Sequence, residues 1–358
     1  MSIDAIATLL APLLETFERL ALVQRHLHPP FAARLADELA PATTALTAPL
    51  AALEARPPDE LDFMRERLVD VARQTLEIVA EFVEAARDGG EPVALYRALR
   101  RVARAQEALY PLAPALDPIS RWFLDAERAD DDALVRRLRD GALREDGPRV
   151  GVLHADNERA ARGGFSLYVP ETWDGATPMP LVVALHGGYG HGRDFLWTWL
   201  REARTRGALV LAPTSRQRTW ALMGEDVDAE PLGQMLDGVA ERYAVDQARV
   251  LLTGMSDGAT YAFLHGLGDG TPFTHLAPMC GVLHPAALLG GGMARARGRP
   301  IYLVHGAHDW MFPVQTARIA RDALQEAGAR LVYRELADLS HTYPREENAR
   351  VLDWLTTA

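Results

Sequence analysis

The spacing of hydrophobic positions changes once along the chain. From Ser2 to about Asp146 they recur every three or four residues in a background rich in Ala, Leu, Glu and Arg, with no glycine before Gly89. Such spacing gathers apolar side chains on one face of a helix. Residues 4–27 predict an amphipathic helix with Ile6, Leu9, Leu10, Leu13, Leu14, Phe17 and Leu20 inward, kinked or divided at Pro12. A second follows Pro58, with Asp59 as N-cap. It keeps Leu61, Met64, Leu68, Val71, Thr75, Ile78, Phe82 and Ala85 on one side until Gly89-Gly90 ends it. Further helices are predicted from Glu91-Pro92, from Asp117-Pro118 and around Leu134, and most prolines fall at the joints between helices. The expectation for residues 1–146 is an antiparallel bundle of about four to six helices.

After Gly147-Pro148 the period shortens. Apolar, β-branched runs at 149–154, 165–169, 181–185, 208–212, 250–253, 277–282, 301–304 and 331–336 predict strands. The first two are joined by a polar turn holding Gly163-Gly164, as in a hairpin. The later ones are mostly separated by helix-length segments, which implies right-handed crossovers and a mostly parallel eight-stranded sheet over residues 147–358. The fold class expected is therefore α/β, preceded by an all-α helical bundle. In open sheets of this kind, function collects at the carboxyl ends of the strands.

Composition narrows the choice of partners. The chain has 358 residues, 48% hydrophobic and 24% charged, with a net charge of −11 and no basic block, so nucleic acid is a poor candidate partner and none is expected. The single cysteine, Cys280, rules out an internal disulfide and any multi-cysteine metal site, and it lies in an apolar run that reads as core. No Glu-x-x-His pair occurs in the helical part, and the histidines show no metal-ligand spacing, so neither metal nor cofactor is expected. No apolar run reaches about 18 residues and the N-terminus lacks a basic n-region, so no membrane span is predicted and the expected location is cytoplasmic.

Candidate chemistry lies at the strand ends. The run Val250-Leu251-Leu252-Thr253 enters Gly254-Met255-Ser256-Asp257-Gly258, and a helix-compatible stretch follows. Strand, Gly-x-Ser-x-Gly and helix together form the context of a nucleophile elbow with Ser256 on a sharp, strained turn. The third strand ends in His186-Gly187-Gly188-Tyr189-Gly190. Its phosphate-loop reading fails because no Gly-Lys-Ser/Thr follows. Its reading as an oxyanion loop takes one N–H from Gly188 or Tyr189 and the other from Asp257, next after the serine. The seventh strand leads to Asp309, and the last to His341, just before the closing helix. Asp338 is the rival acid, but it shares a loop with His341. An acid on the neighbouring strand's loop is the usual arrangement, so Asp309 is preferred. The order Ser256, Asp309, His341 is that of α/β-hydrolases, not of chymotrypsin or subtilisin.

Residues from about 149 to 358 resemble the phospholipase/carboxylesterase and polyhydroxybutyrate-depolymerase-like esterases of the α/β-hydrolase superfamily. The matching stretches are Leu185–Gly188, Ala212–Arg216, Val245–Gly258, His305–Asp309 and Ser340-His341. Dienelactone hydrolases share the fold but carry cysteine at the elbow, so Ser256 points to ordinary ester chemistry. The resemblance implies a serine carboxylesterase acting on esters of small to medium acyl chain through an acyl-enzyme. Trp220, Trp310, Met311 and Phe312 are candidates for walls of the substrate pocket. Two alternatives use the same residues: a peptidase or acyltransferase, and a non-catalytic binding protein whose helical part takes a partner. The resemblance does not extend to the helical part. Its apolar stripes are expected to pack together, with homodimerisation or covering of the catalytic domain as the other uses left open.

Overall fold

A computed structural model describes residues 2–57 and 60–357, and shows two compact units, Met1–Asp130 and Asp131–Ala358. The first unit is all-α. Its helices are Ser2–His26, Ala32–Leu39, Pro41–Glu54, Asp62–Arg87, Pro92–Arg100, Val102–Leu109 and Asp117–Trp122. The helix Asp62–Arg87 is the hub, packing against the first, second, third, fifth and sixth of these. Its buried face is Leu68, Val71, Ala72, Thr75, Ile78, Val79, Phe82 and Ala86.

Several expectations shift in detail. The first helix runs unbroken through Pro12, which costs it only one internal hydrogen bond. The expected cap Asp59 lies outside the described residues. Helix 62–87 ends where Gly89 and Gly90 adopt φ of 98° and 65°, and the Gly90 N–H closes back on the Ala85 carbonyl at 3.0 Å. The helices 32–39 and 41–54 were not anticipated, and they raise the bundle above the expected range. Pro41 sits at the N-terminus of the second of them, where its missing N–H costs nothing.

The division between units falls at 130/131, upstream of the expected 146/147. Between the two lies the helix Asp132–Ala142, capped by the Asp131 side chain on the Leu134 N–H at 2.9 Å. It groups with the sheet because Gly141 lets it approach that unit closely. A Cβ there would stand 1.8 Å from the Glu171 carbonyl oxygen.

The second unit is built on eight strands: β1 Gly151–Ala155, β2 Phe165–Val169, β3 Met179–Leu185, β4 Leu209–Pro213, β5 Val245–Met255, β6 His275–Met279, β7 Pro300–Gly306 and β8 Arg330–Leu336. They form one sheet in the order β1-β2-β4-β3-β5-β6-β7-β8. β2 is antiparallel to both its neighbours, and every later pair is parallel. This is the α/β-hydrolase fold. The inner strands are covered on both faces, so β3, β4, β6 and β7 read as nearly continuous apolar runs. Register brings the functional loops together. Leu185 pairs with Gly254, Met255 with Met279, and Gly306 with Leu336, so β3, β5, β7 and β8 end on one edge. Among the described residues no helix is long and apolar enough to cross a membrane.

Candidate active site

Ser256 occupies the sharp turn between β5 and the helix Asp257–Gly266, with φ 56° and ψ −119°. A side chain held there costs about 1–3 kcal/mol, which the surrounding packing must sustain. The packing is close. The Ser256 N–H donates to the Met279 carbonyl at 3.1 Å. A Cβ on Gly254 would lie 2.6 Å from the Gly258 carbonyl, and one on Gly258 would lie 2.5 Å from that of Leu185. Both glycines are therefore steric requirements of the turn. Asp257 begins the helix, where N–H groups have no intrahelical acceptor and favour negative charge.

His341 Nε2 stands 3.0 Å from Ser256 Oγ, and its Nδ1 stands 2.8 Å from Asp309 Oδ2. All three residues are buried. A carboxylate only accepts, so Nδ1 carries the ring proton and the Nε2 lone pair faces the serine hydroxyl. The acid is itself held: Asp309 Oδ1 accepts the N–H groups of Met311 at 2.9 Å and Phe312 at 2.7 Å. Asp338, the rival acid, does not take this place.

His305 packs below. Its Nε2 donates to the Phe312 carbonyl at 2.8 Å and lies 3.5 Å from Asp309 Oδ2. Burial, the largest influence, pushes its pKa below the ordinary value, which favours a neutral ring. The loops carrying Asp309 and His341 touch at Gly306, where a Cβ would come within 2.3 Å of the Leu339 carbonyl oxygen.

The glycine loop after β3 is fixed by His186, a residue whose role the motif did not disclose. Its Nδ1 donates to the Gly187 carbonyl at 2.7 Å and its Nε2 accepts the Ser215 N–H at 3.1 Å. Of the two oxyanion donors considered on this loop, the structure removes one. The Tyr189 N–H is directed to the Arg218 carbonyl at 2.7 Å, and Tyr189 itself has φ 58° and an exposed side chain. Gly188 faces the helix that begins at Asp257; a Cβ on it would lie 2.5 Å from Asp257 Oδ2. That carboxylate accepts the Thr219 hydroxyl at 2.5 Å, a contact 38 residues apart in sequence that carried no local signal.

The four aromatic and bulky candidates separate. Trp220 is buried, stacks on Tyr261 at 5.4 Å and donates its indole N–H to the His186 carbonyl at 2.7 Å. It supports the glycine loop from beneath and is corrected from pocket wall to core. Phe312 is half-buried, its ring edge-on to His341 at 5.3 Å. Trp310 and Met311 expose their side chains on the same loop. The arrangement has the components for nucleophilic chemistry: a hydroxyl beside a basic nitrogen, an acid that orients the ring, and a helix N-terminus beside the hydroxyl.

No known family profile matches the chain. Among curated proteins, a bifunctional acetylxylan esterase/xylanase from Neocallimastix patriciarum is 26% identical over 207 residues, or 54% of this chain and 28% of that protein. Among solved structures, the fluorophosphonate-binding serine hydrolase F of Staphylococcus aureus is similar with a TM-score of 0.48 and 16% identity, over 58% of this chain and 99% of that one. A thermostable esterase is similar with a TM-score of 0.47 and 20% identity, over 57% of this chain and 62% of that one.

Proposed function

We propose that the second unit hydrolyses carboxylic esters of small to medium acyl chain, with Ser256 as nucleophile, His341 as base and Asp309 as the residue that orients the base. The observation that carries this reading is the unbroken line from Ser256 Oγ to His341 Nε2 at 3.0 Å and from His341 Nδ1 to Asp309 Oδ2 at 2.8 Å, on a turn with φ 56° at the serine. His341 takes the hydroxyl proton as Oγ attacks the acyl carbon, and Asp309 stabilises the imidazolium. The N–H groups of Gly188 and Asp257 receive the developing oxyanion; removing one such donor costs about 10²–10³ in kcat. The imidazolium then gives its proton to the departing alcohol. Water, deprotonated by His341, cleaves the acyl-serine and frees the acid. Phe312, and with it Trp310 and Met311, are the residues offered for substrate contact. The acetyl-ester activity in the name of the Neocallimastix relative is in keeping with this chemistry.

The test is hydrolysis of 4-nitrophenyl esters from acetate to decanoate by the intact chain and by Ser256→Ala. Turnover that disappears in the variant supports the reading, and the chain-length optimum sizes the acyl pocket. Folded wild-type protein that turns over no ester refutes it and moves attention to peptides or to a binding role.

A further inference from the structure

A cleft of about 570 Å³ opens beside the glycine loop, lined by Arg162, Tyr189, Arg216, Gln217, Arg218 and Thr219. Two contacts tie it to the candidate site: the Tyr189 N–H on the Arg218 carbonyl at 2.7 Å, and the Thr219 hydroxyl on Asp257, the residue after the serine, at 2.5 Å. Its three arginines do different things. Arg162 is a strut, donating to the carbonyls of Ser215 at 3.0 Å and Gly190 at 2.7 Å, and also to the Ser215 hydroxyl and the Gln217 carbonyl. Arg216 and Arg218 are exposed, and among the described residues their guanidinium groups enter no ion pair or hydrogen bond.

The backbone that presents this pair is pinned. Asp228 accepts the Arg216 N–H at 2.8 Å and the Ala221 N–H at 2.9 Å. The nearby carboxylates are already engaged: Asp228 by those two groups, Asp257 by Thr219, and Asp226 by the Tyr261 hydroxyl at 2.8 Å. Two guanidiniums with no ion-pair partner among the described residues therefore line a cleft in a chain of net charge −11. Guanidinium is the side-chain group best shaped for carboxylate or phosphate, because its forked donors match their oxygens in pairs. An apolar ester has no use for such a rim.

We infer that the ester substrate carries an anionic group, a carboxylate or equivalent, which Arg216 and Arg218 receive while the acyl carbon lies at Ser256. This rests on the ester-hydrolysis reading and specifies its substrate class.

The experiment measures kcat/KM of the full chain on matched pairs. 4-Nitrophenyl hydrogen adipate against 4-nitrophenyl hexanoate places the charge in the acyl half. 4-Acetoxybenzoate against 4-acetoxybenzamide places it in the alcohol half. The expected result is a preference of about tenfold for the anionic member of one pair, expressed in KM, as charge-assisted hydrogen bonds provide. It shrinks several-fold when ionic strength rises from about 0.05 to about 0.5 M. Arg216→Gln with Arg218→Gln brings the ratio to about one, whereas Arg216→Lys with Arg218→Lys keeps part of it. Hydrolysis of neutral esters with no anion preference in either pair overturns the inference and leaves the esterase reading standing. A preference that survives the double Gln change overturns the assignment to these arginines. No turnover of any ester overturns both readings together.

Discussion

Asp309→Asn is the substitution whose effect the geometry determines most closely. Asp309 Oδ1 accepts two backbone N–H groups, from Met311 at 2.9 Å and Phe312 at 2.7 Å, while Oδ2 faces His341 Nδ1 at 2.8 Å. An asparagine keeps those backbone bonds only with its carbonyl oxygen at the Oδ1 place, which turns its NH₂ toward Nδ1. Nδ1 must then accept, so the ring proton moves to Nε2 and the imidazole can no longer take the proton of Ser256. The productive tautomer returns only if the amide flips. Flipping leaves two part-buried N–H groups facing an NH₂, at about 1–3 kcal/mol each. Roughly 4 kcal/mol for the pair, at about 1.4 kcal/mol per decade, leaves about one molecule in 10³ competent. The expected loss in kcat is therefore about 10³–10⁴, the scale associated with a wrong tautomer. The assay is 4-nitrophenyl ester turnover at neutral pH, with thermal melting as the control for folding. An Asn variant that melts like wild type and retains activity within tenfold would refute both the tautomer argument and the role given to Asp309.

Two further outcomes test other parts of the site and the sheet. At φ 56°, Ser256→Gly should melt above Ser256→Ala, because both lose the hydroxyl but only glycine escapes the strain. About 1 kcal/mol corresponds to roughly 2–4 °C for a unit of this size, and equal melting temperatures would count against a strained elbow. His275, buried at the start of β6, has its pKa depressed to about 4, first by burial and then by the charges of Arg330, Arg299 and Arg249. Its ordinary value is 6.5, so between there and about 4 the unfolded chain binds a proton that the folded chain refuses. Stability from this group is complete above that window and falls as pH drops through it. His275→Phe should flatten the acid limb of urea midpoint against pH, and an unchanged slope would show that His275 does not carry that limb.

What could be read from the sequence was local. The inner strands announced themselves through short apolar runs, because a strand buried on both faces needs apolar side chains at nearly every position. The elbow was legible for a similar reason: Gly254 and Gly258 are demanded by backbone within a few residues and by the adjoining strand end. In the bundle, the long helix 62–87 was legible because its stripe continues over many turns. The segment 27–57 was not, since alanine is apolar yet tolerated anywhere and blurs the contrast between faces. Trp220 was misplaced because aromatic residues look alike from composition. Only the His186 carbonyl, 34 residues away, shows that its indole is spent beneath the loop.

By itself, then, the sequence determined the order of elements, the mostly parallel sheet and the placing of Ser256, Asp309 and His341 beyond strand ends. Those properties follow from periodicity and from chain order. Only the tertiary structure decided which groups meet. Ser256 and His341 are 85 residues apart and Asp309 and His341 are 32 apart, and sheet register together with the packed loops beyond the strands sets 3.0 and 2.8 Å between them. The same holds for the Tyr189 N–H, held by the Arg218 carbonyl at 2.7 Å, and for the two arginines beside it that have no ion-pair partner among the described residues. Hydrogen bonding and charge pairing depend on distances of a few ångströms across separate loops, and the order of residues along the chain does not encode those distances one position at a time.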